Sequence, residues 1–114
     1  MKRNGYIVVL ENDPLIRPLL VRWLAETGYE VTAPSPGTSR PALVIADVPD
    51  PQGADVLVDS LQEYAAPILL LSARFRSGLA GSIDAARRLG VKKVLPKPFT
   101  RKELLAAVRE SLEV

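Results

Sequence analysis

Residues 42–53 read ALVIADVPDPQG, an unbroken apolar run that ends at a carboxylate, Asp47, and is followed by two prolines. A short continuous apolar run rich in aliphatic residues is typical of a strand that is covered on both faces in a parallel sheet. Proline ends such a strand because it has no backbone N–H to donate. The stretch therefore predicts a buried strand over 42–46, with Asp47 at its carboxyl end.

Four other stretches predict strands of the same kind. Residues 6–10 (YIVVL) and 67–71 (PILLL) are continuously apolar, and shorter strands are predicted over 30–33 and 91–95. Polar residues, glycine or proline follow each of them. Together with 42–46, these stretches predict a sheet of buried strands.

The first predicted helix follows the strand over 6–10. Asp13 is its predicted N-cap and Pro14 suits the first helical position, while Gly28 ends the pattern. Pro18 predicts a local distortion because it removes a backbone hydrogen bond. The residues predicted to face inward are Leu15, Ile16, Leu19, Leu20, Trp23 and Leu24.

Three more helices are predicted, and the last has the clearest start. Thr100 and Glu103 form a Thr-x-x-Glu capping box, and Phe99 is placed to pack on Leu104 as a hydrophobic staple. A weaker helix is predicted over 54–64, and another ends at Gly90. The residues predicted to face inward are Val56, Leu57, Leu61 and Tyr64 in the first, Ile83, Ala86 and Leu89 in the second, and Leu104, Leu105, Val108 and Leu112 in the last.

The order of these elements indicates an α/β fold. Strands and helices alternate along the chain, which predicts a parallel sheet sandwiched between helices. At 114 residues, residues 1–114 are expected to form a single domain. Residues 34–41 (PSPGTSRP) hold three prolines and a glycine and are predicted to be a linking loop rather than a helix.

Polar side chains follow most of the predicted strands. Glu11, Asn12 and Asp13 come after the first, Asp47 after the third, Ser72 after the fourth and Lys97 after the fifth. Functional groups of an open parallel α/β sheet collect beyond the carboxyl ends of its strands. We therefore expect these side chains to share one rim of the sheet.

The residue types at this rim suggest phosphoryl chemistry. Clustered carboxylates repel one another unless a cation is present, and a hard divalent ion such as Mg²⁺ prefers oxygen ligands. The Lys97 ammonium and the Ser72 hydroxyl could then bind the oxygens of a phosphoryl group. Asp47 could be the nucleophile that takes this group as an aspartyl phosphate.

Composition excludes several other functions. The chain has no cysteine and no histidine, which removes disulfides, the usual zinc ligands and Ser-His-Asp catalysis. A net charge of only +2, without aromatic interleaving, disfavours direct nucleic-acid binding. No glycine-rich phosphate loop follows the first strand, and no apolar run approaches the roughly 18 residues of a membrane span. We therefore expect a cytoplasmic protein that interacts with no membrane.

Four motifs in this order resemble those of response-regulator receiver domains. They are 8-VVLENDPLIRPLL-20, 43-LVIADVPDP-51, 69-LLLSAR-74 and 94-VLPKPFT-100. The resemblance implies a flavodoxin-like, doubly wound five-stranded sheet of order 2-1-3-4-5. It also implies a two-component signalling module rather than an enzyme, phosphorylated on Asp47 by a histidine kinase or phosphotransfer protein and acting on a downstream protein or a fused output domain.

The resemblance assigns roles to single residues. It implies Glu11, Asn12, Asp47 and the Pro49 carbonyl as ligands of Mg²⁺, Asp47 as phosphoacceptor, and Ser72 and Lys97 as groups that act on the phosphoryl oxygens. It further implies a cis peptide at Lys97-Pro98.

The sequence also departs from the family pattern. Asn12 stands where a second carboxylate is usual, which predicts weak Mg²⁺ binding, and Val94 replaces the usual aromatic residue. The helix expected between the second and third strands is predicted to be shortened or absent, which would expose apolar surface and favour a partner or a homodimer. Two hypotheses therefore stay open: a phosphorylatable receiver, and an atypical pseudo-receiver that binds partners independently of phosphorylation.

Overall fold

The computed structural model describes residues 6–32, 41–48, 53–72 and 79–112. Within them, five parallel strands form one sheet in the order β2-β1-β3-β4-β5. The strands are β1 (Ile7–Leu10), β2 (Val31–Thr32), β3 (Leu43–Asp47), β4 (Ile68–Ser72) and β5 (Lys93–Pro96). The predicted fold class and strand order are confirmed.

The described residues also form four α-helices. They are α1 (Ile16–Glu26), α2 (Ala54–Leu61), which continues into a 3₁₀ turn over Gln62–Tyr64, α3 (Leu79–Leu89) and α4 (Arg101–Leu112). The predicted loss of the helix between β2 and β3 falls on residues 33–40, outside the described residues. No helix in the described ranges is long and apolar enough to cross a lipid bilayer.

The sheet has a separate hydrophobic core on each face. Side chains of a strand alternate between faces, so Ile7 and Val9 enter one core while Val8 enters the other. The first core also holds the buried leucines of α1 and α4, and the second holds those of α2 with alanines of α3. The strands are therefore covered on both faces, as their continuous apolar sequences predict.

The start of α1 shows the predicted cap and the effect of proline. Asp13 Oδ1 accepts the backbone N–H groups of Leu15 at 2.8 Å and Ile16 at 3.3 Å, and the Asp13 carbonyl accepts that of Arg17 at 3.0 Å. Pro18 has no N–H to donate to the carbonyl of Pro14, four residues earlier, and the regular helix begins at Ile16. Asp13 thus acts as the N-cap, and Pro18 is the third residue of the regular helix, in the first turn, where backbone N–H groups have no partner within the helix.

The capping box of α4 is formed as predicted. Thr100 N–H donates to Glu103 Oε1 at 2.9 Å, and Glu103 N–H donates to Thr100 Oγ1 at 3.0 Å. Phe99 is partly buried against the core that contains Leu104. These contacts fix where α4 begins, a few residues after Lys97.

Among the side chains that the structure describes, three that were predicted to face inward are exposed instead. Leu15, Leu19 and Val56 are 78%, 44% and 74% exposed. Leu20 and Leu24 carry the buried stripe of α1. Leu19, one residue before Leu20, lies about 100° round the helix, and Leu15 precedes the first residue of α1. Val56 lies two residues from both buried positions Ala54 and Val58, which puts it on the opposite side of α2.

Candidate functional site

The carboxyl ends of three strands bring together one lysine and two carboxylates. Lys97 Nζ lies 2.8 Å from Asp47 Oδ1 and 2.9 Å from Glu11 Oε1. Glu11 follows β1, Asp47 ends β3 and Lys97 follows β5. The predicted convergence of these three residues at one rim of the sheet is what the structure shows.

The three charges differ in their access to solvent. The side chain of Glu11 is 2% exposed, that of Lys97 15% and that of Asp47 24%. Burial by itself lowers the pKa of Lys97, but hydrogen bonds and charge interactions with Asp47 and Glu11 outweigh it and raise the pKa above its ordinary value of 10.5. Lys97 is therefore a fixed cation at neutral pH, beside a carboxylate that solvent can reach.

Backbone contacts place Lys97 beside β4. Ser72 is opposite Pro96 in the β4–β5 register, and Lys97 N–H donates to the Ser72 carbonyl at 2.9 Å. The peptide between Lys97 and Pro98 is cis, as predicted. Ser72 itself is fully buried at the end of β4, at the same rim.

The three polar residues of the turn after β1 differ in their contacts and exposure. Asp13 N–H donates to Glu11 Oε2 at 3.2 Å, so both oxygens of the buried Glu11 carboxylate have a partner. Asn12 is exposed, and Asp13 caps α1. Pro49, predicted to offer its carbonyl to a metal, lies outside the described residues.

Comparisons with known proteins point to one family. No protein-family model matches the chain. The response regulator MprA of Mycolicibacterium vanbaalenii is 33% identical over 93% of this chain, and MprA of Mycobacterium avium is 32% identical over 93%. The chain spans about half the length of these curated relatives, 49% and 50%.

Solved structures of receiver domains share the fold. The signal receiver domain of a histidine kinase from Syntrophus aciditrophicus superposes with a TM-score of 0.69 at 25% identity, covering 96% of this chain and 90% of that one. A response regulator from Thermotoga maritima gives a TM-score of 0.74 at 18% identity, covering 96% and 98%. The chain is a response-regulator receiver domain.

The metal ligands predicted for this receiver domain are hard oxygen donors. Asp47 and Asn12 are accessible, and Glu11 lies next to them, so the donors suit Mg²⁺ in kind. Two carboxylates and one ammonium leave a net charge of −1, however, and the Glu11 oxygens already contact the Lys97 ammonium and the Asp13 N–H. Within the described ranges, no group of three or more Asp, Glu, His or Cys side chains could hold a metal ion. The residues present therefore suit Mg²⁺ in donor type, and their low net charge predicts weak binding.

An open cavity of about 830 Å³ lies beside this rim of the receiver domain. Glu11, Asn12, Asp47 and Arg17 contribute its charged and polar wall. Its apolar wall comes from β1, from the end of β3 with the residue that follows it, and from α2: Val9, Leu10, Ala46, Val48, Val56 and Leu57. Sequence reasoning missed Arg17, since its spacing from β1 gives no sign that the side chain turns back toward the strand.

Val94 lies where the family pattern has an aromatic residue. It is 1% exposed and belongs to the core that α2 and α3 cover, opposite Leu70 of β4. A buried valine has one short side chain and no ring that could move between an inner and an outer position. This receiver domain therefore lacks that element of the family pattern.

Proposed function

We propose that this receiver domain accepts a phosphoryl group on Asp47 from a histidine kinase or a phosphotransfer protein in the cytoplasm, in a Mg²⁺-dependent reaction. One observation carries the proposal: a single ammonium, Lys97, bridges the accessible carboxylate of Asp47 and the buried carboxylate of Glu11. An aspartate that only capped a turn at the end of a strand would not need to share a lysine with a second, buried carboxylate.

The proposed reaction is a transfer to a carboxylate oxygen. An Asp47 oxygen attacks phosphorus and forms a P–O bond, the P–N bond to the donor histidine breaks, and the leaving imidazole keeps the electron pair and takes a proton. The chain contains no histidine, so the donor residue is on another protein or another domain. The domain is thus an acceptor and carrier of the group rather than an enzyme.

Different residues at the rim would stabilise the negative charge that the phosphoryl group adds. Lys97 keeps its proton and can follow the phosphoryl oxygens as they approach Asp47. Ser72, at the end of β4, would donate its hydroxyl to one of these oxygens. Glu11, Asn12, Asp47 and the Pro49 carbonyl would hold Mg²⁺, which when bound offsets negative charge on the phosphoryl group.

Intact-mass measurement tests the proposal. The domain is incubated with phosphoramidate, with Mg²⁺ or with a chelator, and a gain of one phosphate is expected only with Mg²⁺. Asp47→Asn should abolish the gain. Asp55→Asn, a change of an exposed carboxylate in the first turn of α2, is the matched control and should keep it. No gain at saturating Mg²⁺ would rule the proposal out.

The second candidate is a pseudo-receiver that binds partners without phosphorylation. The observation favouring it is the exposed amide of Asn12, which brings no charge to the metal position. In that case the domain would take up no phosphate, and Asp47→Asn would not alter its binding to a downstream protein. The mass measurement separates the two candidates directly.

A further inference from the structure

Arg17 turns its guanidinium toward the end of the sheet that carries the site. It stands in the first turn of α1, and its Nη1 donates to the carbonyl of Val9, in β1, at 2.8 Å. This bond spans eight positions in sequence and holds the guanidinium against the strand that leads into Glu11. Arg17 also lines the cavity that Asp47, Glu11 and Asn12 line.

The charge of Arg17 is not neutralised by the carboxylates of the site. Glu11 and Asp47 are both paired with Lys97, and among the described residues Arg17 has no carboxylate within ion-pair distance. A guanidinium has five N–H donors, and within the same residues only the one to Val9 has a hydrogen-bond partner. A fixed and otherwise uncommitted guanidinium on a cavity wall is suited to binding an anion.

A purely structural role would explain only one of these donors. Within the described residues, which stop at Thr32 after β2, β1 pairs with β2 at Ile7 and Val8, and Arg17 supplies a hydrogen bond to the Val9 carbonyl. Any uncharged donor of similar length could do the same. The positive charge and the remaining donors stay available to the cavity.

We propose that Arg17 recognises the phosphoryl group at Asp47 and supplies positive charge that compensates for weak Mg²⁺ binding at Asn12. The inference rests on the proposed function of Asp47. A receiver domain with this arginine would need less Mg²⁺ than the Asn12 amide suggests, because Arg17, whose charge no site carboxylate neutralises, would offset part of the charge of the phosphoryl group.

The test measures the Mg²⁺ concentration that gives half-maximal phosphorylation by phosphoramidate, by intact mass. Arg17→Gln should raise this Mg²⁺ concentration about tenfold, the size expected when one charge-assisted contact is lost. Arg17→Lys should bring it most of the way back to the wild-type value. Arg22→Gln, in the same helix and paired with Glu26, is the matched control and should leave it unchanged. Thermal shift with beryllofluoride and Mg²⁺ supplies a second readout that needs no phosphoryl transfer.

A second variant tests the link to Asn12. Asn12→Asp restores a carboxylate to the metal position, so in that background the effect of Arg17→Gln should fall below about threefold. An unchanged Mg²⁺ requirement in Arg17→Gln, or an equal effect in both backgrounds, would overturn the inference while leaving the proposed function standing. A wild-type domain that takes up no phosphate and binds no beryllofluoride would overturn both.

Discussion

At the scale of single residues, the site depends on how Lys97 balances two carboxylates of unequal burial. Glu11 is almost fully buried, and a buried carboxylate is tolerated only when it is paired and hydrogen-bonded. Lys97 and the N–H of Asp13 supply that pairing. Asp47 shares the same ammonium but keeps contact with solvent, which leaves it available to a donor.

Replacing Lys97 tests this balance through stability. Lys97→Met should lower the free energy of unfolding by about 3 kcal/mol, because it leaves the buried Glu11 carboxylate without its cation. Adding Glu11→Gln should recover part of the loss, since a glutamine oxygen can still accept the Asp13 N–H. Urea denaturation measures both, and a Lys97→Met variant as stable as wild type would contradict the described contacts.

The difference in unfolding free energy between wild type and Lys97→Met should also depend on pH. The folded domain holds the Lys97 proton more tightly than the unfolded chain does, because its pKa is raised above 10.5. This contribution to stability is fully present at neutral pH and is lost as pH rises through the raised pKa. The difference in unfolding free energy between wild type and Lys97→Met should therefore shrink above pH 10.5.

The convergence of Glu11, Asp47 and Lys97 could be predicted from sequence because parallel strands end at one rim. The position of the Arg17 guanidinium could not, since the direction of a long side chain depends on which backbone carbonyl it can reach. That carbonyl, on Val9, lies one residue past the described pairing of β1 with β2, which ends at Val8 and Thr32.

At the scale of elements, local signals predicted helix starts better than helix faces. The caps at Asp13 and Thr100 are formed as predicted, because each cap joins residues that are no more than three positions apart in sequence. The inward positions of Leu15, Leu19 and Val56 were wrong, because apolar spacing marks a wide arc and only packing decides which part of it is covered.

The capping box at α4 provides a direct test of an element. Thr100→Ala should lower the free energy of unfolding by about 1 kcal/mol, since Glu103 N–H loses its acceptor, while Thr100→Ser should keep most of it. Ser60→Ala removes another exposed hydroxyl, one that donates to the Leu57 carbonyl inside α2, and should change stability by less than about 0.5 kcal/mol. Equal losses in urea denaturation for Thr100→Ala and Ser60→Ala would contradict this role of the cap.

At the scale of the whole molecule, two cores hold the central strands rigid and leave their carboxyl ends open. Composition and alternation predicted the α/β class, but the order β2-β1-β3-β4-β5 came from resemblance to receiver domains. Strand order depends on crossovers between distant segments, which single-sequence patterns do not encode. The site is a product of this order, because β1, β3 and β5 bring Glu11, Asp47 and Lys97 together only when β3 lies between β1 and β4.

The most direct test of the central claim is to locate the phosphorylated residue. The domain is phosphorylated with phosphoramidate and Mg²⁺, reduced with borohydride, which converts an aspartyl phosphate to homoserine, and mapped by peptide mass spectrometry. Homoserine is expected at Asp47 alone. Homoserine at another carboxylate, or at none although phosphate was taken up, would contradict the account.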